Sequence, residues 1–152
     1  MNSIKRILLV ENSRKDIELS LAGLEEHNLA NEVDVVHDGA EALDYLYRRG
    51  AYVKRPPGNP AVVLLDLKMP KVDGMEVLRQ LKSDEQLKMV PVVMLTSSRE
   101  EQDLIKSYQL GVNAYVVKPI DFAQLMGAVK QLGLFWAVIN EPPKGSVQKM
   151  AA

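Results

Sequence analysis

Five short apolar runs alternate with amphipathic stretches along this chain, and this alternation limits the folds that are open to it. The runs are rich in Val, Ile and Leu and cover residues 7–10, 33–36, 61–65, 91–95 and 114–117. Short, continuously apolar runs are typical of parallel strands that are covered on both faces. The run at 33–36 is interrupted by Asp34, so we predict that it is an edge strand.

The stretches between these runs carry apolar residues at helical spacing. They predict helices over residues 15–27, 40–49, 75–82, 99–110 and 122–139. Three prolines and a glycine predict a loop over residues 55–60, before the third strand. Strict alternation of strand and helix predicts an α/β fold, with a five-stranded parallel sheet and helices on both faces. In such folds the functional site lies beyond the carboxyl ends of the strands.

Composition excludes several classes of protein. A chain of 152 residues that is 47% hydrophobic and 26% charged is typical of one globular domain, not of a disordered segment. The net charge of −1 gives no general attraction to nucleic acid or to an anionic membrane. The absence of cysteine excludes disulfides and thiol catalysis. No run is long enough for a signal peptide or a membrane span, so we expect a cytoplasmic protein.

Polar residues follow four of the five predicted strands. Glu11 and Asn12 follow the first strand, Asp66 the third, Thr96 the fourth and Lys118 the fifth. A carboxylate can carry a phosphoryl group as an acyl phosphate, and oxygen donors hold a hard cation such as Mg²⁺. A fixed ammonium and a hydroxyl can stabilise the charge on a phosphoryl group. These residues therefore indicate phosphoryl chemistry at one edge of the sheet.

Four segments around these residues resemble the receiver domain of two-component response regulators. They are residues 7–12, 64–74, 93–97 and 114–119, of which the stretch from Asp66 to Gly74 is highly specific. The similarity covers about residues 5–139. It implies a doubly wound, flavodoxin-like sheet with strand order 2-1-3-4-5. It also implies a receiver domain over residues 1–140. The prolines and glycine of residues 141–145 end the predicted fold and predict a flexible C-terminal tail over residues 141–152.

The resemblance assigns roles to the residues that match the family's motifs. Asp66 would accept the phosphoryl group, and Lys118 would be the essential lysine. Thr96 would be the switch hydroxyl, which moves toward the phosphoryl group, and Tyr115 the aromatic residue that moves behind it.

A metal site is also implied by the resemblance. Its ligands to Mg²⁺ or Mn²⁺ would be Glu11, Asn12, Asp66 and the backbone carbonyl of Lys68. The family normally has two acids at the end of the first strand, and in this chain the second is Asn12. An amide oxygen can bind magnesium with less electrostatic attraction. We therefore predict a weakened metal site, not a lost one.

Two further features are similar to the stand-alone response regulators that partner bacterial and cyanobacterial phytochrome kinases. One is the insertion at residues 52–60, and the other is the apolar sequence Leu134-Phe135-Trp136 in the last predicted helix. The similarity implies a histidine kinase partner of the bacteriophytochrome type. It also implies a homodimer through the fourth helix, fifth strand and fifth helix, for which apolar residues outside the core stripe would provide the surface. The short stretch after the last helix predicts output through protein contacts and not through nucleic acid.

Two other hypotheses stay open at this point. Asn12 is compatible with a receiver-fold adaptor that acts without phosphorylation. An enzyme on this fold, such as a flavin or nucleotide oxidoreductase, has no support, because the chain contains no G-x-G-x-x-G and no P-loop. We expect a signalling domain whose only catalysis is its own phosphorylation and dephosphorylation.

Overall fold

The computed structural model describes residues 6–25, 33–67, 69, 71–96, 114–118, 123–124 and 127. The strands are β1 (Ile7–Val10), β2 (Val33–Val36), β3 (Val62–Asp66), β4 (Val92–Thr96) and β5 (Ala114–Val117). The helices are α1 (Arg14–Glu25), α2 (Gly39–Tyr47) and α3 (Gly74–Ser83), and a short 3₁₀ helix covers Gly50–Tyr52. Among the described residues, no helix is long and apolar enough to cross a membrane.

The five strands form one sheet in the order β2-β1-β3-β4-β5, and every neighbouring pair is parallel. This confirms the predicted fold and the position of β2 at an edge. Asp66 lies beside Leu95, and Thr96 lies beside Val117. The register therefore brings the carboxyl ends of the central strands side by side. This side of the sheet, which all the strands reach with their carboxyl ends, is called its carboxyl edge.

Strands β3 and β4 each begin and end one residue later than the predicted apolar runs, so that Asp66 and Thr96 are their last residues. Backbone hydrogen bonds continue past these positions. The N–H of Leu67 donates to the carbonyl of Leu95 at 2.9 Å, and the N–H of Lys118 donates to the carbonyl of Thr96 at 2.7 Å. The predicted ends at residues 65 and 95 were wrong, because the ladder depends on backbone groups and not on the polarity of the side chains.

The core lies on both faces of the sheet, because successive side chains of a strand point to opposite faces. On one face, Leu8, Val63 and Leu65 pack in a cluster with buried residues of α2 and α3. On the other face, strand residues such as Leu9 and Leu64 pack against α1. Burial on both faces explains why the strands are apolar without alternation.

Local capping interactions set the ends of α2. The Asp38 side chain accepts a hydrogen bond from the N–H of Glu41 at 2.8 Å, so Asp38 is the N-cap and the helix begins at Gly39. The helix ends at Tyr47, because Arg48 adopts the left-handed conformation with φ of 56°. The predicted end at residue 49 was therefore wrong.

The remaining helix predictions have different outcomes. Helix α3 extends one residue beyond the predicted range at each end, and α1 begins one residue earlier than predicted and is described to Glu25. The helix predicted over residues 99–110 lies outside the described residues. In the helix predicted over 122–139, residues 123, 124 and 127 are described and are helical. The predicted domain boundary at residue 140 also lies outside the described residues.

The insertion before β3 is anchored to α2 by Arg55. The Arg55 Nε donates to the carbonyl oxygen of Tyr45 at 2.9 Å, and its Nη1 donates to the carbonyl oxygen of Gly58 at 3.0 Å. The Arg55 guanidinium also lies 4.2 Å from the centre of the Tyr45 ring. The Tyr45 hydroxyl in turn donates to Asp34 at 2.5 Å. Arg55 therefore attaches the predicted loop to α2 and, through Tyr45, to the edge strand.

Replacing this anchor is expected to loosen the loop. The Arg55→Ala variant loses the carbonyl hydrogen bonds and the stacking on Tyr45, so we expect the free energy of unfolding to fall by about 1–2 kcal/mol. Urea denaturation followed by circular dichroism measures this change. Lys54→Ala is the matched control, because Lys54 is a neighbouring exposed cation. Equal stability of the two variants would contradict the anchoring role.

Candidate functional site

Four of the predicted side-chain positions lie together at the carboxyl edge of the sheet. Glu11 follows β1, Asp66 and Thr96 end β3 and β4, and Lys118 follows β5. Glu11, Asp66 and Thr96 are buried, with exposed fractions of 0%, 5% and 3%. Buried polar residues are uncommon unless they are paired or functional, so this cluster is the candidate site.

The ammonium of Lys118 lies at the centre of three carboxylates. Its Nζ is 3.0 Å from Glu11 Oε1, 2.9 Å from Asp16 Oδ2 and 3.2 Å from Asp66 Oδ1. Burial alone would lower the pKa of Lys118. The hydrogen bonds to Asp16 and Glu11 and the charges of Asp66 and Glu11 outweigh burial and raise this pKa above its ordinary value. Lys118 therefore stays charged, and it donates hydrogen bonds to Glu11 and Asp16 while it pairs with Asp66.

The carboxyl group of Asp66 has a perturbed acidity. Burial and the nearby charge of Glu11 raise the pKa of Asp66 to about 6, although the ammonium of Lys118 acts in the opposite direction. The ionised form is thus incompletely stabilised by its surroundings. At neutral pH the group is ionised and can act as a nucleophile, but it lacks part of the positive charge that would balance it.

This excess of negative charge is what a divalent cation would relieve. Glu11 and Asp66 offer carboxylate oxygens, which are the donors that hard cations prefer. Asn12, the neutral member of the predicted metal site, follows Glu11 directly and is exposed. Lys68 lies outside the described residues. In the described part of the chain, no group of three or more acidic, histidine or cysteine side chains has the arrangement of a metal site. The donor set therefore fits a cation only if other oxygen donors complete it.

Asp16 was missed by the sequence reasoning. It lies in the first turn of α1, where its N–H donates to Ser13 Oγ at 3.2 Å and its carboxylate accepts from Lys118. An acid in the first turn of a helix is ordinary, because it interacts favourably with the helix dipole. The only sequence feature that could have indicated a role for Asp16 was the position of this turn, directly after the predicted site residues of β1.

Two predicted site positions are described in part or not at all. The backbone of Tyr115 lies in β5 beside Met94, while its side chain lies outside the described residues. The switch role of Tyr115 stays a prediction, and so does the ligand role of the Lys68 carbonyl.

The loop after Asp66 returns to the strand end at the start of α3. The N–H of Gly74 donates to the carbonyl of Leu67 at 3.1 Å, and the Asp73 side chain caps α3 by accepting from the N–H of Glu76 at 2.9 Å. A Cβ atom at Gly74 would overlap the carbonyl oxygen of Asp66 and would lie 2.8 Å from that of Leu67. Glycine is thus required here for α3 to approach the strand that carries Asp66.

A parallel sheet in this order, with a buried acid and a lysine at its carboxyl edge, defines a receiver-type signalling domain. The chain belongs to the response regulator receiver domain family, whose model matches residues 7–130. It is similar to regulators that are associated with phytochromes. The structure of the bacteriophytochrome response regulator AtBRR is 60% identical, with a TM-score of 0.84, and the match covers 92% of this chain and 100% of AtBRR.

Two cyanobacterial regulators are also similar. Response regulator Rcp1 of Synechocystis is 40% identical over 135 residues, which cover 89% of this chain and 90% of Rcp1. The structure of its Mn²⁺-bound form has a TM-score of 0.71, with 39% identity, and covers 91% of this chain and 99% of that one. The structure of the phosphorylated cyanobacterial phytochrome response regulator RcpA has a TM-score of 0.72, with 42% identity, and covers 88% of this chain and 94% of RcpA.

Proposed function

We propose that this chain is a single-domain response regulator that accepts a phosphoryl group from a histidine kinase on Asp66 and signals through protein contacts. The observation that carries the proposal is the buried cluster in which the Lys118 ammonium bridges Glu11 and Asp66 at the carboxyl edge of the sheet. A buried acid whose pKa is raised to about 6 and which is paired with a fixed cation is typical of a functional carboxylate.

In the proposed reaction, an oxygen of Asp66 forms a bond to phosphorus while the bond from phosphorus to the nitrogen of the donor histidine breaks. The product is an acyl phosphate on Asp66. Lys118 is placed to donate to an oxygen of the phosphoryl group, and Thr96 on the adjacent strand carries the hydroxyl assigned to the switch. Catalysis of this kind consists mainly of positioning and charge stabilisation, which suits a site formed by fixed strand ends.

The proposed cofactor is Mg²⁺ or Mn²⁺. Glu11, Asn12, Asp66 and the backbone carbonyl of Lys68 would hold the ion, and it would supply positive charge to the phosphoryl oxygens. The excess negative charge at Asp66 supports this assignment, as does the Mn²⁺-bound form of the similar protein Rcp1.

The proposed partner is a histidine kinase of the phytochrome type, because the similar proteins AtBRR and RcpA are phytochrome response regulators. We also propose a cytoplasmic homodimer that binds no nucleic acid. Its interface would combine β5 with the helices predicted over residues 99–110 and 122–139, most of which lie outside the described residues. Apart from its own phosphorylation and dephosphorylation, the protein would catalyse no reaction.

Phosphorylation by a small-molecule donor tests this function directly. We expect incubation with acetyl phosphate and Mg²⁺ to add the mass of one phosphoryl group, located by peptide mapping on the segment that contains Asp66. Excess EDTA should prevent the addition. If the intact, folded protein gains no mass with Mg²⁺ or Mn²⁺, the phosphorylation-independent adaptor is the better hypothesis. Phosphotransfer from purified phytochrome kinases, with other histidine kinases as controls, then tests the partner.

Substitution at Asn12 tests the metal site. The Asn12→Asp variant adds a negative charge next to Glu11, so we expect Mg²⁺ to bind about tenfold more tightly, which corresponds to ~1.4 kcal/mol. Isothermal titration calorimetry measures this affinity. Asn59→Asp is the matched control, since Asn59 is exposed and lies in the insertion, where its side chain contacts Gln86. Equal Mg²⁺ affinity of wild type and Asn12→Asp would refute the predicted role of Asn12.

A further inference from the structure

We propose that Asp16 is a positioning residue that holds the ammonium of Lys118 in place for the phosphoryl group on Asp66. This inference rests on the proposed function and deepens it, because it adds a side chain from α1 to a site otherwise formed by strand ends.

The contacts of Lys118 carry the proposal. A lysine ammonium has three N–H donors, and here each has a carboxylate within reach. The two shorter contacts are to Asp16 at 2.9 Å and Glu11 at 3.0 Å, while Asp66 is 3.2 Å away. The Lys118 side chain is only 9% exposed, so water does not offer it an easy replacement for a lost partner.

Asp16 is itself held in position by the start of α1. Its N–H donates to Ser13 Oγ at 3.2 Å, and the N–H of Ser13 donates to Glu11 Oε2 at 3.0 Å. Ser13 thus links the carboxylate of Glu11 to the backbone of Asp16. This linkage holds the first turn of α1, which carries Asp16, next to Glu11 at the end of β1.

The arrangement divides the donors of Lys118 into two kinds. Glu11 and Asp16 accept hydrogen bonds from two N–H groups, which leaves the third for the acceptor Asp66, whose Oδ1 lies 3.2 Å from Nζ. A phosphoryl oxygen on Asp66 can take over this third donor while the two other bonds stay in place. Without Asp16, the flexible lysine side chain would be held by Glu11 alone and would sample other rotamers, which lowers the fraction of productive geometries.

A simpler role for Asp16 is stabilisation of α1 through the helix dipole. The two roles differ in a measurable way. Stabilisation through the dipole does not depend on Lys118, whereas a positioning residue has no effect once the residue that it positions is removed. A double-mutant cycle with Lys118 therefore separates the two roles.

The experiment measures Asp66 phosphorylation by acetyl phosphate in saturating Mg²⁺, using intact-mass spectrometry over a range of donor concentrations. For Asp16→Ala we expect the rate at saturating donor to fall about tenfold, equivalent to ~1.4 kcal/mol, with little change in the half-saturating concentration. The rate of Asp16→Asn should fall less than that of Asp16→Ala, because the amide oxygen of asparagine still accepts a hydrogen bond. In the Lys118→Ala background, adding Asp16→Ala should not lower the phosphorylation rate further, even when it is measured over long incubations.

Glu18→Ala is the matched control, because Glu18 lies on the same helix and pairs with Arg14 in an exposed ion pair. It removes the same charge from α1 and should keep the wild-type rate. Circular dichroism checks that every variant is folded. The proposal would be overturned if Asp16→Ala lowered the phosphorylation rate by the same factor with and without Lys118. It would also be overturned if Asp16→Ala kept the wild-type rate. Failure of the wild-type protein to be phosphorylated would instead reject the proposed function.

Discussion

The Asp66→Asn variant is expected to accept no phosphoryl group from acetyl phosphate or from a kinase. The amide nitrogen and oxygen cannot form the acyl phosphate that a carboxylate forms, so we expect complete loss within the detection limit of intact-mass spectrometry. Asp44→Asn is the matched control, since Asp44 lies on α2 and forms a partly exposed ion pair with Arg49. A phosphoryl group found on another aspartate of the Asp66→Asn protein would show that the acceptor was assigned wrongly.

The same substitution is expected to stabilise the fold in the absence of divalent cations. The pKa of Asp66 is raised from 3.8 to about 6, so the folded state binds its proton more tightly than the unfolded chain does. The resulting cost of ionisation is absent below about pH 4, grows between pH 4 and 6, and is complete above pH 6. A difference of about two pKa units corresponds to roughly 3 kcal/mol. Asp66→Asn should therefore be more stable than wild type by up to about 3 kcal/mol at pH 7.

Urea denaturation in EDTA at several pH values measures this effect. The stability gain of Asp66→Asn should shrink as the pH is lowered from 6 to 4, because wild-type Asp66 then takes up its proton. Asp44→Asn should give no comparable gain at pH 7, since Asp44 is partly exposed and paired. If Asp66→Asn were less stable than wild type at pH 7, the pairing with Lys118 would outweigh the cost of burial, and the raised pKa would be wrong.

The second large effect is expected from Gly74→Ala. The new methyl group would overlap the carbonyl oxygen of Asp66 and crowd that of Leu67, so the start of α3 would have to move away from the end of β3. Overpacking of this kind costs about 1–3 kcal/mol or more. Because the overlapped carbonyl oxygen belongs to Asp66, we also expect slower phosphorylation. Thermal denaturation and the acetyl phosphate assay measure the two effects.

Gly127→Ala is the matched control for this substitution. Gly127 is helical and exposed, and a Cβ atom there would have no neighbour within 4 Å. Alanine favours helix more than glycine does, so this variant should be as stable as wild type or slightly more stable. If Gly74→Ala had wild-type stability, α3 could be displaced without cost, and the close approach would not be required.

Much of the fold was predictable because it depends on local patterns. Apolar runs such as those of β1 and β3 identify buried strands, and their alternation with helices dictates a parallel sheet. That sheet brings the carboxyl ends of the strands to one edge, which is why Glu11, Asp66 and Lys118 could be grouped before any coordinates were known. The exact ends of α2, β3 and β4 were less predictable, because they depend on caps and backbone bonds that the apolar pattern does not reveal.

The sequence by itself determined the strand–helix order, the sheet edge that carries the site, and the family whose motif surrounds Asp66. Only the tertiary structure decided that Asp16 joins the site and that the pKa of Asp66 is raised. Asp16 and Lys118 are 102 positions apart along the chain. Their contact depends on how α1 packs against the face of the sheet, and the acidity of Asp66 depends on burial and on the distance to Glu11. Such properties arise from distances in space, which the spacing of residues along the chain does not specify.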